Sequence, residues 1–321
     1  MSTNENPNSS IREVSNFINS KTIHEEGVKS QHWQLKNMLK LSGNFLVYPF
    51  EQSILAYDYN TKIKDVILPR LRFPPTSLFI DSEYIVVGGH KGQIVVLNRL
   101  TQEKLVKRLT EAINNHIIIR NNKIHVASND RTLKIFDTDL QLIKKIEHTS
   151  QVNYCSISPD GKYLIIVGDS NDVIVYSNKT YELIKKLKTI RDGGFSVSWN
   201  STSDVFAVGT QDGYVCLWDI RQDDKQYLLN SSQIGSHKGA IRNVFFTIKN
   251  SLDLLCFTEQ FNNLTMFDTR TFAKKQVINL YNDAQITGAV YSEEKSKIFV
   301  SSDEQITELD INTVCRRQFD A

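Results

Sequence analysis

The chain has 321 residues, 40% of them apolar, with 38 basic against 36 acidic side chains and a net charge of +2. So even a balance gives no bulk electrostatic reason to bind nucleic acid or an anionic membrane, and no apolar run approaches the roughly 18 residues that span a bilayer. The four cysteines, Cys155, Cys216, Cys256 and Cys315, make no CxxC pair. That argues against zinc and dithiol chemistry, and for reduced thiols in the cytoplasm and/or the nucleus.

Residues 1–30 are rich in Asn, Ser, Glu and Lys and lack the apolar core of a signal peptide, so they read as a disordered polar tail ahead of an ordered region over 31–321. From there the chain is a succession of short runs of period two separated by turn residues. The third run of each group ends on a bulky residue followed by Asp, Asn or Ser: Tyr57-Asp58, Leu97-Asn98, Phe136-Asp137, Tyr176-Ser177, Trp218-Asp219, Phe267-Asp268 and Leu309-Asp310. The successive spacings are 40, 39, 40, 42, 49 and 42 residues. Seven units of one size predict an all-β, seven-bladed propeller with one four-stranded blade per unit, and no second chain is needed to complete it. The interval of 49 is assigned to a polar surface insertion over residues 222–234.

The unit from Gly193 to Arg221 is the clearest. Its strands Phe195–Trp199 and Val205–Thr210 are followed by Gln211-Asp212-Gly213, a tight hairpin signal, and by Val215–Trp218. Inner strands recur at Thr76–Ile80, Asn153–Ile157, Arg242–Phe246 and Thr287–Tyr291. A fourth, lysine-bearing strand closes most units, as in Leu142–Ile146 and Leu183–Leu187, where the charges discourage edge-to-edge pairing. The seventh unit offers two closures. Val314–Gln318 can serve as its fourth strand, or a strand can come from the other end of the chain, where Lys21–Val28 are too polar to stand out.

Trp218-Asp219, the divergent Phe136-Asp137 and Phe267-Asp268, the pair Ser236-His237, and Asp130 and Asp212 before third strands carry a resemblance to the WD-repeat (WD40) family. The resemblance implies a hydrogen bond between such an Asp and a His inside the blade. A narrower resemblance lies in residues 237–246, 251–259 and 267–272, with residues 286–289 and 316–319. They are similar to a fungal WD-repeat group with an uncharacterised conserved segment (DUF2415-like), some of whose relatives are linked to substrate recognition by the GID ubiquitin ligase. The function implied is a non-catalytic interaction scaffold or adaptor; the alternative is a substrate-recognition subunit of a ubiquitin ligase. Partners would be other proteins, among them ligase subunits, with no nucleic acid and no membrane.

No catalytic set, metal set or cofactor site emerges. The seven histidines show no HxH or HExxH spacing, and Gly88–Gly92 lacks the P-loop pattern and a following helix. The aspartates after the third strands, Asp58, Asp137, Asp219, Asp268 and Asp310, fall in different blades, which makes them turn caps rather than paired acids. In WD propellers the broad face is built from the loops leading into each inner strand and from the turns between strands two and three. Those places put Arg131, Asn153, Arg191, Ser196, Gln211, Lys238, Arg242 and Glu259 forward as partner-binding residues. Trp218-Asp219-Ile220-Arg221 and Phe267-Asp268-Thr269-Arg270 resemble the motif that docks WD-repeat receptors on a cullin-4 ligase adaptor, which makes Arg221 and Arg270 candidate docking residues.

Overall fold

The computed structural model describes residues 11–29, 32, 35–189, 191–222, 226–229, 239–247 and 253–314. Two strands precede the ring, β1 (Arg12–Glu13) and β2 (Ile18–His24). Blade 1 is β3 (Lys40–Ser42), β4 (Phe45–Phe50), β5 (Ser53–Asp58) and β6 (Lys64–Leu68). Blade 2 is β7 (Pro75–Ile80), β8 (Tyr84–Gly89), β9 (Gln93–Asn98) and β10 (Lys104–Arg108). Blade 3 is β11 (Asn114–Arg120), β12 (Lys123–Ser128), β13 (Thr132–Asp137) and β14 (Leu142–Glu147). Blade 4 is β15 (Val152–Ile157), β16 (Tyr163–Gly168), β17 (Asp172–Ser177) and β18 (Leu183–Lys188). Blade 5 is β19 (Gly194–Trp199), β20 (Val205–Thr210), β21 (Val215–Asp219) and β22 (Gln226–Leu229). Blade 6 is β23 (Asn243–Phe246), β24 (Leu254–Thr258), β25 (Asn263–Asp268) and β26 (Lys274–Asn279). Blade 7 holds β27 (Gly288–Ser292), β28 (Lys297–Ser301) and β29 (Ile306–Ile311). The seven-bladed all-β propeller read from the period is the architecture of the molecule.

Three expectations change. Blade 7 is completed by β2, which runs antiparallel to β29 with Ile18 opposite Ile311 and His24 opposite Ile306. The ordered region therefore starts before residue 31, and Val314–Gln318 is not the closing strand; Cys315–Gln318 lie outside the described residues. Second, β1 adds in parallel to the outer edge of β26, making blade 6 five-stranded. Third, the region assigned to a surface insertion contains β22, the outer strand of blade 5. Closure by a distant strand gives β29 a backbone partner in place of an open edge.

The seam at β2 is also held by side chains. His24 is buried, with Nε2 2.7 Å from Glu308 Oε2 and Nδ1 3.1 Å from the Tyr57 hydroxyl of blade 1. Glu308 also receives Lys297. Burial disfavours the Glu308 charge, but these two donors outweigh it and hold the carboxyl below its usual range. Phe17, just before β2, is buried with Leu254, Ile298 and Leu309 across blades 6 and 7.

Blades pack through apolar side chains that alternate along the middle strands. Between blades 4 and 5 an aromatic row runs Tyr163, Trp199, Phe206, Trp218, with ring centroids 5.8, 5.0 and 5.2 Å apart. Such pairs add roughly 0.5–1.5 kcal/mol each beyond the area they bury. Turn caps follow the third strands as expected. Asp58 Oδ1 accepts from the N–H groups of Asn60 and Thr61, Asn98 Oδ1 from Leu100 and Thr101, and Asp137 Oδ1 from Asp139 and Gln141. The hairpin after β20 needs Gly213, whose φ is 84°.

The implied Asp–His bonds are replaced. Asp130 accepts from Thr132 at 2.5 Å and pairs with Lys134, and Asp212 accepts from Thr210 at 2.6 Å. Where blade 4 has His148 ahead of its inner strand, blades 3 and 5 have Thr110 and Thr189. All three bond the carbonyl two residues on, at Ser150, Ala112 and Arg191. A threonine hydroxyl can make this local cap but is too short to replace an imidazole reaching into the blade. His237 lies outside the described residues.

Candidate functional site

The loops into the inner strands open on one end of the central channel, the upper face. Four inner strands start with the same irregularity. The register shifts between Pro75 and Ser77, Asn114 and His116, Val152 and Tyr154, and Gly194 and Ser196. Each shift is a β-bulge that leaves one residue unpaired and turns its side chain away from the strand's parity. The four residues are Thr76, Asn115, Asn153 and Phe195, and all line the upper end of the channel. Three of them join blade to blade. The Thr76 hydroxyl donates to Asn114 O, Asn115 Nδ2 to Val152 O, and Asn153 Nδ2 to Gly194 O, at 2.9, 2.8 and 3.2 Å. Phe195 has no donor, and there Ser196 Oγ reaches Ile241 O at 3.5 Å. Arg242 stands directly before β23, its N–H bonded to Thr258 O.

Residues 35–39 lie over this ring as a plug. Met38 N–H donates to Thr287 O in blade 7, and Asn243 Nδ2 in blade 6 reaches Lys36 O. Leu35 packs on Phe195 and Ala240. His32 supports the segment from its start: Nδ1 accepts the Leu35 N–H at 2.8 Å and Nε2 meets Asn115 Oδ1 at 3.2 Å. Burial pushes the His32 imidazole down to about 4.

The proposed partner-binding residues divide into two groups. Arg131, Arg191 and Gln211 are exposed on the rim, and Arg191 lies 3.8 Å over the Tyr214 ring. Asn153, Ser196, Arg242 and Glu259 are 3%, 1%, 5% and 4% exposed. Asn153 and Ser196 bind neighbouring blades, and Glu259 accepts from Asn263 Nδ2 at 3.1 Å. All four are buried, and Asn153 and Arg242 line the space under the plug. Lys238 lies outside the described residues. Thr76, Asn115 and Phe195 were missed because the bulges invert the alternation at the first residues of the strands. A polar pair opening an apolar strand, Thr76-Ser77 or Asn114-Asn115, was the available signal.

Arg221 and Arg270 occupy matching turns after the third strands of blades 5 and 6. Each guanidinium forks onto its own turn aspartate. Arg221 Nε and Nη2 reach Asp219 at 2.8 and 2.6 Å, and Arg270 Nε and Nη2 reach Asp268 at 3.0 Å each. Arg221 also meets Asp204 at 3.2 Å. The bond from Arg221 holds the Asp219 carboxyl below its usual range.

A broad exposed concavity lies elsewhere among the described residues, where the connection from blade 1 to blade 2 meets the outer strands of blade 2. It is a groove of about 960 Å3 lined by Arg70, Arg72, Lys91, Lys104, Lys107 and Arg108 over an apolar floor that includes Leu71, Phe73 and Val95. No acidic residue lines it, although Glu111 pairs with Arg108 from beside it. Along its wall β10 is exposed at all five positions. Among the described residues no group of three or more His, Cys, Asp or Glu could hold a metal, and no helix is long and apolar enough to cross a membrane. Cys155, Cys216 and Cys256 are buried free thiols, and burial raises all three, Cys216 to about 12.

The model of the WD domain, G-beta repeat, matches residues 140–177 and 185–219. A solved structure, that of the mitotic checkpoint complex, contains a chain that superposes with a TM-score of 0.76 at 14% identity, covering 92% of both chains. The chain thus carries WD repeats within a seven-bladed β-propeller. It also carries a DUF2415 segment, an uncharacterised protein domain matched over residues 239–279, which is blade 6. An uncharacterised protein of Schizosaccharomyces pombe is 28% identical over 319 residues, 90% of each chain. An uncharacterised protein of Saccharomyces cerevisiae is 23% identical over 276 residues, 72% of this chain but 38% of that longer one. The U5 small nuclear ribonucleoprotein 40 kDa protein of Dictyostelium discoideum is 28% identical over 157 residues, 47% of this chain and 38% of that one.

Proposed function

We propose that this protein is a non-catalytic interaction scaffold of the cytoplasm or nucleus that holds an acidic segment of a partner protein in the groove along the outer strands of blade 2. The observation that carries this reading is the lining: six cationic side chains, an apolar floor and no carboxylate. The open edge of β10 supports an extended occupant, since the matching edge of blade 6 already accepts β1 through backbone pairing. The rim residues Arg131, Arg191 and Gln211 offer the same partner a second, polar contact on the upper face. The fold supports a scaffold because a closed ring fixes its exposed loops and edges rigidly, and the relatives include a component of a ribonucleoprotein complex.

Reversing three groove charges, Arg72→Glu, Lys104→Glu and Lys107→Glu, is expected to weaken binding of a fluorescein-labelled acidic octapeptide about tenfold or more. Each exposed charge pair contributes roughly 0.2–1 kcal/mol, and reversal adds repulsion to the loss. Fluorescence anisotropy at two salt concentrations reads the effect. Unchanged affinity, or binding of single-stranded DNA in preference to the peptide, rejects the reading.

A substrate-recognition subunit of a ubiquitin ligase is the second reading, favoured by the matched Arg221 and Arg270 turns and by the DUF2415 segment. Arg221→Ala with Arg270→Ala is then expected to abolish co-purification of ligase subunits from a chain that still folds, with a lowered unfolding midpoint because buried Asp268 loses the Arg270 fork. Ligase subunits retained at the parental level would exclude docking through these turns.

A further inference from the structure

The upper end of the channel holds a buried guanidinium with no compensating partner among the described residues, and beside it the half-exposed Lys36 ammonium, which Asp303 partly offsets. Arg242 is 5% exposed. Its Nε and Nη1 are fully buried and have no hydrogen-bond partner among the described residues. They belong to a small, partly open space under the plug whose lining includes Lys36, Asn37, Asn115, His116 and Asn153. No Asp or Glu lines it. The amide donors around it are already used, Asn115 Nδ2 on Val152 O and Asn153 Nδ2 on Asp169 and Gly194 O. His116, stacked on Tyr154, stays neutral because burial drives its imidazole well below the usual range. The donors left among these residues include the Arg242 guanidinium, the Ser77 hydroxyl, which is buried without a partner, and the Lys36 ammonium.

These two cations come from opposite sides. Lys36 belongs to the plug and Arg242 to blade 6. Burial, then repulsion from Arg242, lowers the Lys36 ammonium against the opposing pull of Asp303, and burial lowers Arg242 to about 10. A charge taken out of water costs several kcal/mol unless an opposite charge accompanies it. The free volume is about 20 Å3, room for one particle of water or halide size and too little for phosphate or a peptide carboxylate with the plug in place.

We propose that this space is a binding site for a small monatomic anion, chloride under ordinary conditions, held between Arg242 and Lys36 and fastening the plug to the channel. The anion converts a repulsive contact between plug and ring into a bridged one. The site is independent of the groove along the outer strands of blade 2, so either reading can fail without the other.

Bromide provides the direct probe. Crystals of the full chain soaked in sodium bromide are expected to give an anomalous peak about 3.2–3.6 Å from Arg242 Nε and Nη1, a little beyond ordinary hydrogen-bond length because bromide is larger than oxygen. In solution, thermal unfolding in sodium chloride against sodium gluconate at matched ionic strength is expected to show a rise of about 5 °C at saturating chloride. Arg242→Met should abolish that difference. Lys36→Met, at a half-exposed plug residue, should reduce it severalfold. Amide exchange over residues 35–39 should slow with chloride in the parent only. A bromide-soaked crystal with no anomalous peak at the site, equal unfolding temperatures in the two salts, or a chloride effect unchanged in both variants would each overturn the proposal in favour of a water molecule.

Discussion

Removing the chain up to His24 is expected to open the propeller. The deletion strips blade 7 of β2, leaving the edge of β29 unpaired from Ile306 to Ile311. It removes His24 from the buried Glu308 carboxylate and β1 from the edge of blade 6. It also removes Phe17 from an apolar cluster that spans two blades. The Phe17 side chain alone is worth about 3–5 kcal/mol by analogy with other large-to-small core changes. A typical domain has about 5–15 kcal/mol in all, so the full deletion should leave a chain that unfolds at low denaturant or aggregates through the exposed edge. Phe17→Ala in the intact chain gives the graded version, and urea unfolding followed by fluorescence measures both. Hydrogen exchange should accelerate first in Gly288–Ile311. A truncated chain with the parental midpoint would show that β2 does not hold the ring.

Mild acid is expected to destabilise the fold well before its carboxylates titrate. Burial holds His32 and His125 at about 4 against the usual 6.5. Between those two pH values the unfolded chain binds more protons than the folded one, so stability is complete above about pH 6.5 and falls as the pH drops toward 4. At pH 5 each of the two residues costs about 2 kcal/mol relative to pH 7, or about 4 kcal/mol together. His116 and His148 shift in the same direction. Below about pH 4.5 the contribution of Glu308, whose carboxyl is depressed, begins to be lost as well. Urea midpoints at pH 7, 6 and 5 test this, and a flat profile over that range contradicts it. His32 lies in the plug, so amide exchange at residues 35–39 should rise ahead of global unfolding.

The period of about 40 residues made the architecture legible because every blade repeats one alternation and one capped turn. What the alternation could not show is β2, whose residues Ile18–Ile23 are exposed or only partly buried along the strand. It is held by backbone bonds and by the ends of the segment, Phe17 and His24, and neither makes a periodic pattern. The repeat boundaries contained the information in another form. Residues 140–177 and 185–219 each begin on an outer strand and end on the third strand of the next blade. A ring of such staggered units needs an outer strand from ahead of its first blade. The strand β22 was lost for the related reason that Gln226–Leu229 sit in a polar surrounding sequence. At the site, Asn153 and Arg242 could be placed in the channel from the sequence, but not their burial. The plug that covers them is irregular and leaves no periodic trace, and the bulges moved the reading from Ser196 to Phe195.

The closing strand also has a meaning in time. His24 leaves the ribosome about 280 residues before its partner Ile306. At 5–20 residues per second that is a wait on the order of 15–60 s. Blades 1 to 5 are local and can form as they emerge, whereas the seam joins residues almost as far apart as the chain allows, the slowest kind of contact to find. During that interval β2 has no sheet to join, and a nascent chain carries a loose strand whose backbone is paired only with water. Whatever captures that strand first, a chaperone, a neighbouring nascent chain or β29 itself, decides whether translation ends in a ring.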